Sequence, residues 1–212
     1  RDPRVAGAPG LMEIFRYTQA ELDYLRARDE ILGRAIDRIG VIERPVHRDI
    51  FSALVSSIVA QQISGAAART VWNRLEARLG AITPETVQAA AVEDIQQCGV
   101  SMRKATYIKG IGEAVVSGAL DLAALPDLPD EDVIARLSSL HGIGVWTAEM
   151  VLIFAMQRPD VVSWGDLGIR RGMMRLYGLE TLDRPTFEHY RQRYSPYGSI
   201  ASLYLWRIAA GE

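Results

Sequence analysis

A single cysteine, Cys98, among 212 residues excludes a disulfide framework, a four-cysteine iron–sulfur cluster and any CxxC metal pattern. Histidine is nearly as scarce. His47, His141 and His189 stand in separate segments, so neither a metal cluster nor a Ser/His nucleophile has the residues it needs. There is no basic excess: 24 Lys and Arg face 26 Asp and Glu, a net charge of −2, which argues against coating nucleic acid through a broad basic surface. The longest apolar run, near Met150 to Met156, is too short to span a bilayer. The N-terminus lacks the order of a signal peptide. These absences predict a soluble, intracellular protein with no membrane partner and no catalytic metal.

What is present is helical punctuation. Arg1 to Gly10 reads as a loose leader. Thr18 and Glu21 have capping-box spacing ahead of Leu22, Leu25, Leu32, Ile36 and Ile39, with Gly40 as a stop, so one long helix or two short ones follow. Asp49 precedes a stripe from Ile50 to Val59 that Gln61 and Gln62 end, and Ser64, Thr83-Pro84 and Ser101 open further helices. Gly110 and Gly112 weaken the helix after Ser101 by about 1 kcal/mol each relative to alanine, which implies a packing or functional reason. Leu125 to Asp130 is a connector and Asp130 an expected N-cap; Gly178 stops a later helix. Almost no window alternates with a strand period, so the fold class is all-α, with about ten helices.

The chain is organised around Leu140 to Ile169, LHGIGVWTAEMVLIFAMQRPDVVSWGDLGI. Gly142 and Gly144 allow a tight turn and close approach of another molecule. The amides that follow open a helix, whose unpaired N–H groups and partial positive charge suit a phosphate. Only Thr147 and Glu149 interrupt the apolar surface from Val145 to Met156, so this helix is expected to be buried on nearly all sides before Arg158 and Pro159 stop it. Asp166 then follows Trp164 and Gly165. On the residues alone two readings stay open: a buried helical hairpin with a helix-capping aspartate, or an amide phosphate grip beside a reactive carboxylate.

LHGIG followed by VWTA, with Gly165-Asp166 some twenty residues on, resembles the helix-hairpin-helix, Gly/Pro-rich loop and aspartate signature of the DNA glycosylase superfamily. SSIVAQQIS at 56–64 and WGDLGIRRG at 164–172 resemble its 3-methyladenine DNA glycosylase II, or AlkA-like, branch. The resemblance implies two helical subdomains with an active-site cleft between them. The segment 1–44 would pack with the C-terminal helices of 161–212, and 45–160 would form the central subdomain. Longer members carry an extra N-terminal β domain; with about 45 residues ahead of the matching core, it is expected to be absent.

The resemblance also implies roles. Asp166 is the catalytic carboxylate that stabilises charge on the sugar as a flipped base leaves. Trp146, Met150, Trp164 and Trp206 are candidates for the base pocket, where an indole face favours a cationic alkylated purine by about 0.5–2 kcal/mol. The amides of Gly142, Ile143, Gly144 and onward to Thr147 grip a phosphate, with the Thr147 hydroxyl as an extra donor. Gln62 is the wedge that fills the vacated stack, with Ile63 as the alternative. Lys104, Arg170 and Arg171 are the basic residues nearest the motifs and are candidate DNA contacts. Carbonyls of Ser138, Leu140 and Ile143 match positions that hold a structural Na+ or K+. Trp146 stands where members that also cut the backbone carry a lysine, which implies a monofunctional enzyme. The expected activity is excision of 3-methyladenine- or 7-methylguanine-type bases from double-stranded DNA by a monomer. A mismatch-specific glycosylase and a non-catalytic DNA-binding hairpin are the alternatives.

Overall fold

The computed structural model of the chain describes residues 13–47 and 49–212; the leader expected over Arg1 to Gly10 lies outside them. Twelve α-helices dominate the described residues. Their one sheet is a two-residue antiparallel pair, β1 (Glu13–Ile14) against β2 (Pro45–Val46). No helix among them is long and apolar enough to cross a membrane.

Most helices begin where a short polar side chain accepts the first free amides. α1 (Gln19–Arg28) starts on the Thr18/Glu21 capping box. The choice between one helix and two resolves as two, because Asp29 accepts the amides of Ile31 and Leu32 at 3.0 and 2.9 Å and restarts the chain as α2 (Glu30–Ile39). Asp49 caps α3 (Ile50–Ala60), Ser64 caps α4 (Gly65–Leu79), and Thr83 caps α5 (Pro84–Ala89). After the short α6 (Val92–Gln96), Ser101 caps α7 (Met102–Val116). α8 (Asp130–Ser138) departs from the expectation. Its N-cap is Pro129, and the Asp130 carboxylate pairs instead with Arg158 Nε at 3.4 Å, a distant partner that local spacing does not reveal.

α9 (Val145–Phe154) ends ahead of Arg158, whose guanidinium reaches the carbonyls of Leu125, Pro126 and Leu128 at 3.2, 2.9 and 2.8 Å. That grip anchors the 3-10 turn at Leu125–Asp127. α10 (Leu167–Tyr177), α11 (Arg184–Tyr194) and α12 (Gly198–Ala210) complete the chain.

Packing sorts the helices into two groups. α3 packs on α4, α7 and α9, with α5 and α6 on α7 and α8 on α9; α1 and α2 pack with α10, α11 and α12. One continuous apolar cluster runs through both groups. Asp29 also ties the second group together: it is buried, accepts the Tyr177 hydroxyl at 2.8 Å and pairs with Arg193 at 3.3 Å, while Tyr177 and Tyr194 share a 2.8 Å bond. Burial pushes both phenols well above their ordinary range.

Two glycines explain close helix approaches. A Cβ at Gly112 would stand 3.0 Å from the Gln88 amide and the Val87 side chain, so α7 can meet α5. A Cβ at Gly172 would be driven into the Leu205 carbonyl of α12; nothing in the structure explains Gly110. Gly172→Ala is therefore expected to destabilise by about 1–3 kcal/mol, because the obstacle is backbone. At roughly 2–4 °C per kcal/mol for a chain of this size, thermal melting followed by circular dichroism would show the loss, and an unchanged Tm would mean that the α10–α12 contact is looser than described.

Candidate active site

The turn between α8 and α9 is built on Gly142, whose φ of +88° lies in the left-handed region. A Cβ there would also sit 2.5 Å from Tyr107 Cδ2. Tyr107 stacks on His141 with ring centroids 6.3 Å apart, so α7 supports the hairpin from below. Gly144 differs: its backbone is extended and nothing lies within 4 Å of a built Cβ, so its smallness leaves space in front of the helix. Ile143 is buried and its amide donates to the Leu140 carbonyl at 3.1 Å, which fixes the tip. Among the described residues no backbone carbonyl accepts the amides of Gly142, Gly144, Val145, Trp146 or Thr147. These amides sit at the positive end of the α9 dipole, a ready anion site.

α9 is not buried on nearly all sides, as its composition suggests. Its first turn is open, with Val145 54% and Trp146 47% exposed, while Thr147 is only 6% exposed. The Thr147 hydroxyl expected as an extra phosphate donor therefore belongs to a largely buried residue.

Asp166 is the N-cap of α10, its Oδ1 accepting the Ile169 amide at 2.8 Å. The same oxygen accepts Trp206 Nε1 at 2.9 Å, and Oδ2 accepts Trp146 Nε1 at 2.9 Å. The two indoles come from α12 and α9, one from each packing group, so the carboxylate sits where the groups meet. It is 8% exposed beside Leu167 at 51%, and among the described residues no cation pairs with it. Capping and chemistry coexist here: the donors orient a negative charge that no positive side chain neutralises, in surroundings where its field is weakly screened.

Trp206 stacks on Phe154 with centroids 5.5 Å apart, so one of its faces is already covered. Gly168 admits its edge: a Cβ there would lie 2.7 Å from Trp206 Cδ1 and 3.0 Å from Asp166 Oδ1. Met150, one turn beyond Trp146, is half-buried against the core. The Trp164 ring meets Phe187 edge-on at 5.1 Å, and the guanidiniums of Arg170 and Arg184 lie over it at 5.1 and 5.4 Å, so, unlike Trp146 and Trp206, its described contacts are with these side chains and not with Asp166. Arg170 thus covers an indole, with its Nε buried and unpartnered, whereas Arg171 is exposed.

A second carboxylate lies nearby. Glu149, one turn along α9 from Trp146, accepts the hydroxyl of the fully buried Ser163 and so ties the loop carrying Asp166 to α9. Burial pushes the Glu149 carboxyl above its ordinary range; Ser163 and Arg184 oppose the rise and Asp166 adds to it.

The turn after α3 is the third component. Gln62 adopts φ +59° and is exposed, next to Ile63 at 39% exposure. Gln61 does not cap its own helix end through its side chain; its Nε2 crosses to the Gly142 carbonyl at 2.8 Å. The Lys104 ammonium donates to the carbonyls of Val59 and Gln61 at 3.0 and 2.6 Å, and burial lowers its pKa, so this partly exposed cation serves the end of α3. Of the proposed cation ligands, the Leu140 carbonyl already accepts the Ile143 amide, while those of Ser138 and Ile143 accept no amide among the described residues. Sequence reading overlooked Gly168, Gln61, Tyr107 and the Glu149–Ser163 pair; only Gly168 left a readable trace, standing four residues from Gly172 on one face of α10.

Residues 55–196 match the model of the HhH-GPD superfamily base excision DNA repair protein family, and the chain belongs to that helix-hairpin-helix superfamily, in its AlkA-like 3-methyladenine DNA glycosylase branch. It is 32% identical over 201 residues to DNA-3-methyladenine glycosylase 1 of Schizosaccharomyces pombe, covering 91% of this chain and 87% of that protein. The crystal structure of a Bacillus halodurans DNA-3-methyladenine glycosidase aligns with TM-score 0.85 and 37% identity over 94% of each chain. The S. pombe enzyme Mag1 in complex with abasic DNA aligns with TM-score 0.77 and 29% identity, over 89% of this chain and 96% of that one.

The carboxylate's two indole bonds are directly observable. The protein has four tryptophans, and in a 1H–15N spectrum Asp166→Asn should move the indole resonances of Trp146 and Trp206 while those of Trp72 and Trp164 stay in place. An unmoved Trp146 or Trp206 resonance would contradict the geometry.

Proposed function

We propose that this protein is a monofunctional DNA glycosylase that removes 3-methyladenine- and 7-methylguanine-type bases from double-stranded DNA, initiating base excision repair inside the cell. The observation that carries the proposal is Asp166, an uncompensated carboxylate held by two indole N–H groups and a helix N-terminus, together with the hairpin amides from Gly144 to Thr147, which no backbone carbonyl among the described residues accepts. A non-catalytic DNA binder has no use for a negative charge aimed toward a phosphate-bearing ligand.

The chemistry follows from that charge. The base must leave the stack before its sugar bond can be reached. The hairpin amides hold a phosphate, Gln62 or Ile63 enters the vacated space, and the exposed Trp146 offers an indole face to the extruded base. As the C1′–N bond breaks, its electron pair departs with the base and positive charge builds on the sugar. Asp166 stabilises that charge, and water adds to C1′, releasing its proton and leaving an abasic site. A cationic alkylated base, neutralised by the electron pair it takes, leaves most readily.

Cleavage of the backbone requires an amine that attacks C1′, and the residues speak against one. Trp146 occupies the place after the hairpin. The chain has only two lysines, and Lys104 and Lys109 both donate to backbone carbonyls on α7's neighbours. A Na+ or K+ at the hairpin would be held by the carbonyls of Ser138, Leu140 and Ile143; their hard oxygen donors suit it, and it would add positive potential to the phosphate grip. No iron–sulfur cluster or catalytic metal enters the scheme.

Asp166→Asn should lower single-turnover base release from methylated duplex by about a hundredfold or more, the scale for removing a preorganised charge, with abasic-duplex affinity nearly retained. Full release by this variant would sink the mechanism. Borohydride added during turnover should trap no covalent protein–DNA adduct, and a trapped species would overturn the monofunctional assignment.

A further inference from the structure

The two lysines of this chain do comparable work at different places. Lys109 donates to the carbonyls of Gln88 and Ala90, at the end of α5. Lys104 donates to those of Val59 and Gln61, at the end of α3. Helix C-termini carry unpaired carbonyls and a partial negative charge, so an ammonium is well received at either. The surroundings separate them. The α5 end leads into a further short helix, whereas the α3 end leads into the exposed tip Gln62–Ile63, with Gln62 in the left-handed region at φ +59°. A glutamine keeps that conformation only where neighbouring contacts over-determine it.

Three contacts surround this turn and the hairpin beside it, and all involve α7 or the hairpin. Lys104 holds the carbonyls on both sides of the last α3 residue, Ala60. The Gln61 side-chain amide, from the same turn, donates to the Gly142 carbonyl at 2.8 Å. Tyr107, three residues after Lys104 on α7, fills the space against the Gly142 Cα. One face of α7 therefore supports the tip through Lys104 and the phosphate-gripping turn through Tyr107, and Gln61 joins the two. Among the described residues no carboxylate pairs with Lys104, and its partners are the two carbonyls at the end of α3.

We infer that Lys104 is a positioning residue for base extrusion, fixing the Gln62–Ile63 tip at a set offset from the hairpin amides. The tip must enter the duplex at the step next to the phosphate that the hairpin holds, and a tip free to swing would enter out of register. The inference rests on the base-excision reading proposed above. It also separates Lys104 from a phosphate contact, which would act through released counterions.

Lys104→Met and Lys109→Met keep chain length and remove each ammonium; the second serves as the structural control. Both should lower Tm. Only Lys104→Met should slow single-turnover excision, by at least about tenfold as a drop in the limiting rate at saturating enzyme, and only it should speed amide exchange across 61–64. For both, the slope of log affinity against log salt for undamaged duplex should match wild type. A slope shallower by about 0.9 for Lys104→Met, the value per phosphate neutralised, would make Lys104 a DNA contact and overturn the inference. So would equal rate losses in the two variants, or unchanged excision in Lys104→Met. Wild-type protein that releases no base would instead refute the excision reading, and the exchange and salt measurements would still judge Lys104.

Discussion

The site depends on one arrangement: a carboxylate gripped from two sides by indole N–H groups that arrive on helices of different packing groups. Asp166 takes Trp146 from α9 on one oxygen, and Trp206 from α12 together with the α10 amide on the other. Helix packing sets each indole's position, so the charge is oriented by the fold and not by a flexible side chain. Gly168 and Gly172 let α12 lie close enough for Trp206 to reach. A methyl group at either would push the indole or the helix away. The functional geometry and the tightest helix contact of the C-terminal region are thus a single feature.

The same economy governs charge. The chain is mildly acidic, and the groups that could meet DNA phosphates at the hairpin are amides at the start of α9. Partial charges on backbone groups are fixed in direction and carry no side-chain entropy, so a grip made of them positions a phosphate without a basic surface. Several basic side chains near the site do other work. Arg158 ties a turn to the segment after α9, Arg170 and Arg184 cover Trp164, and Lys104 holds the end of α3. Proximity in sequence to a binding motif is a poor guide to which cations face a ligand. A long side chain reaches for the nearest unpaired acceptor, and at a helix end that is backbone.

Helix starts and stops were legible because they are local. Thr18, Asp49, Ser64, Thr83 and Ser101 each stand where a helix needs an acceptor, and Gly40, Gly80 and Gly178 take positive φ where helices stop. The exception had a distant cause: Asp130 is drawn to Arg158, beyond the end of the following helix.

The sequence by itself determined an all-α chain, the hairpin at Gly142 with its helix start, and an aspartate at the next helix N-terminus, since caps, glycine turns and apolar periods act within a few residues. Tertiary structure alone decided which way each large side chain faces. Trp146 and Trp206, 60 positions apart, turn their N–H groups to one carboxylate, while Trp164, two residues from it, meets Phe187. Lys104 is held by a helix end more than 40 residues earlier. Local pattern fixes which face of a helix is apolar, but the partner that a polar tip meets depends on helix crossings, and these are settled only when the whole core packs.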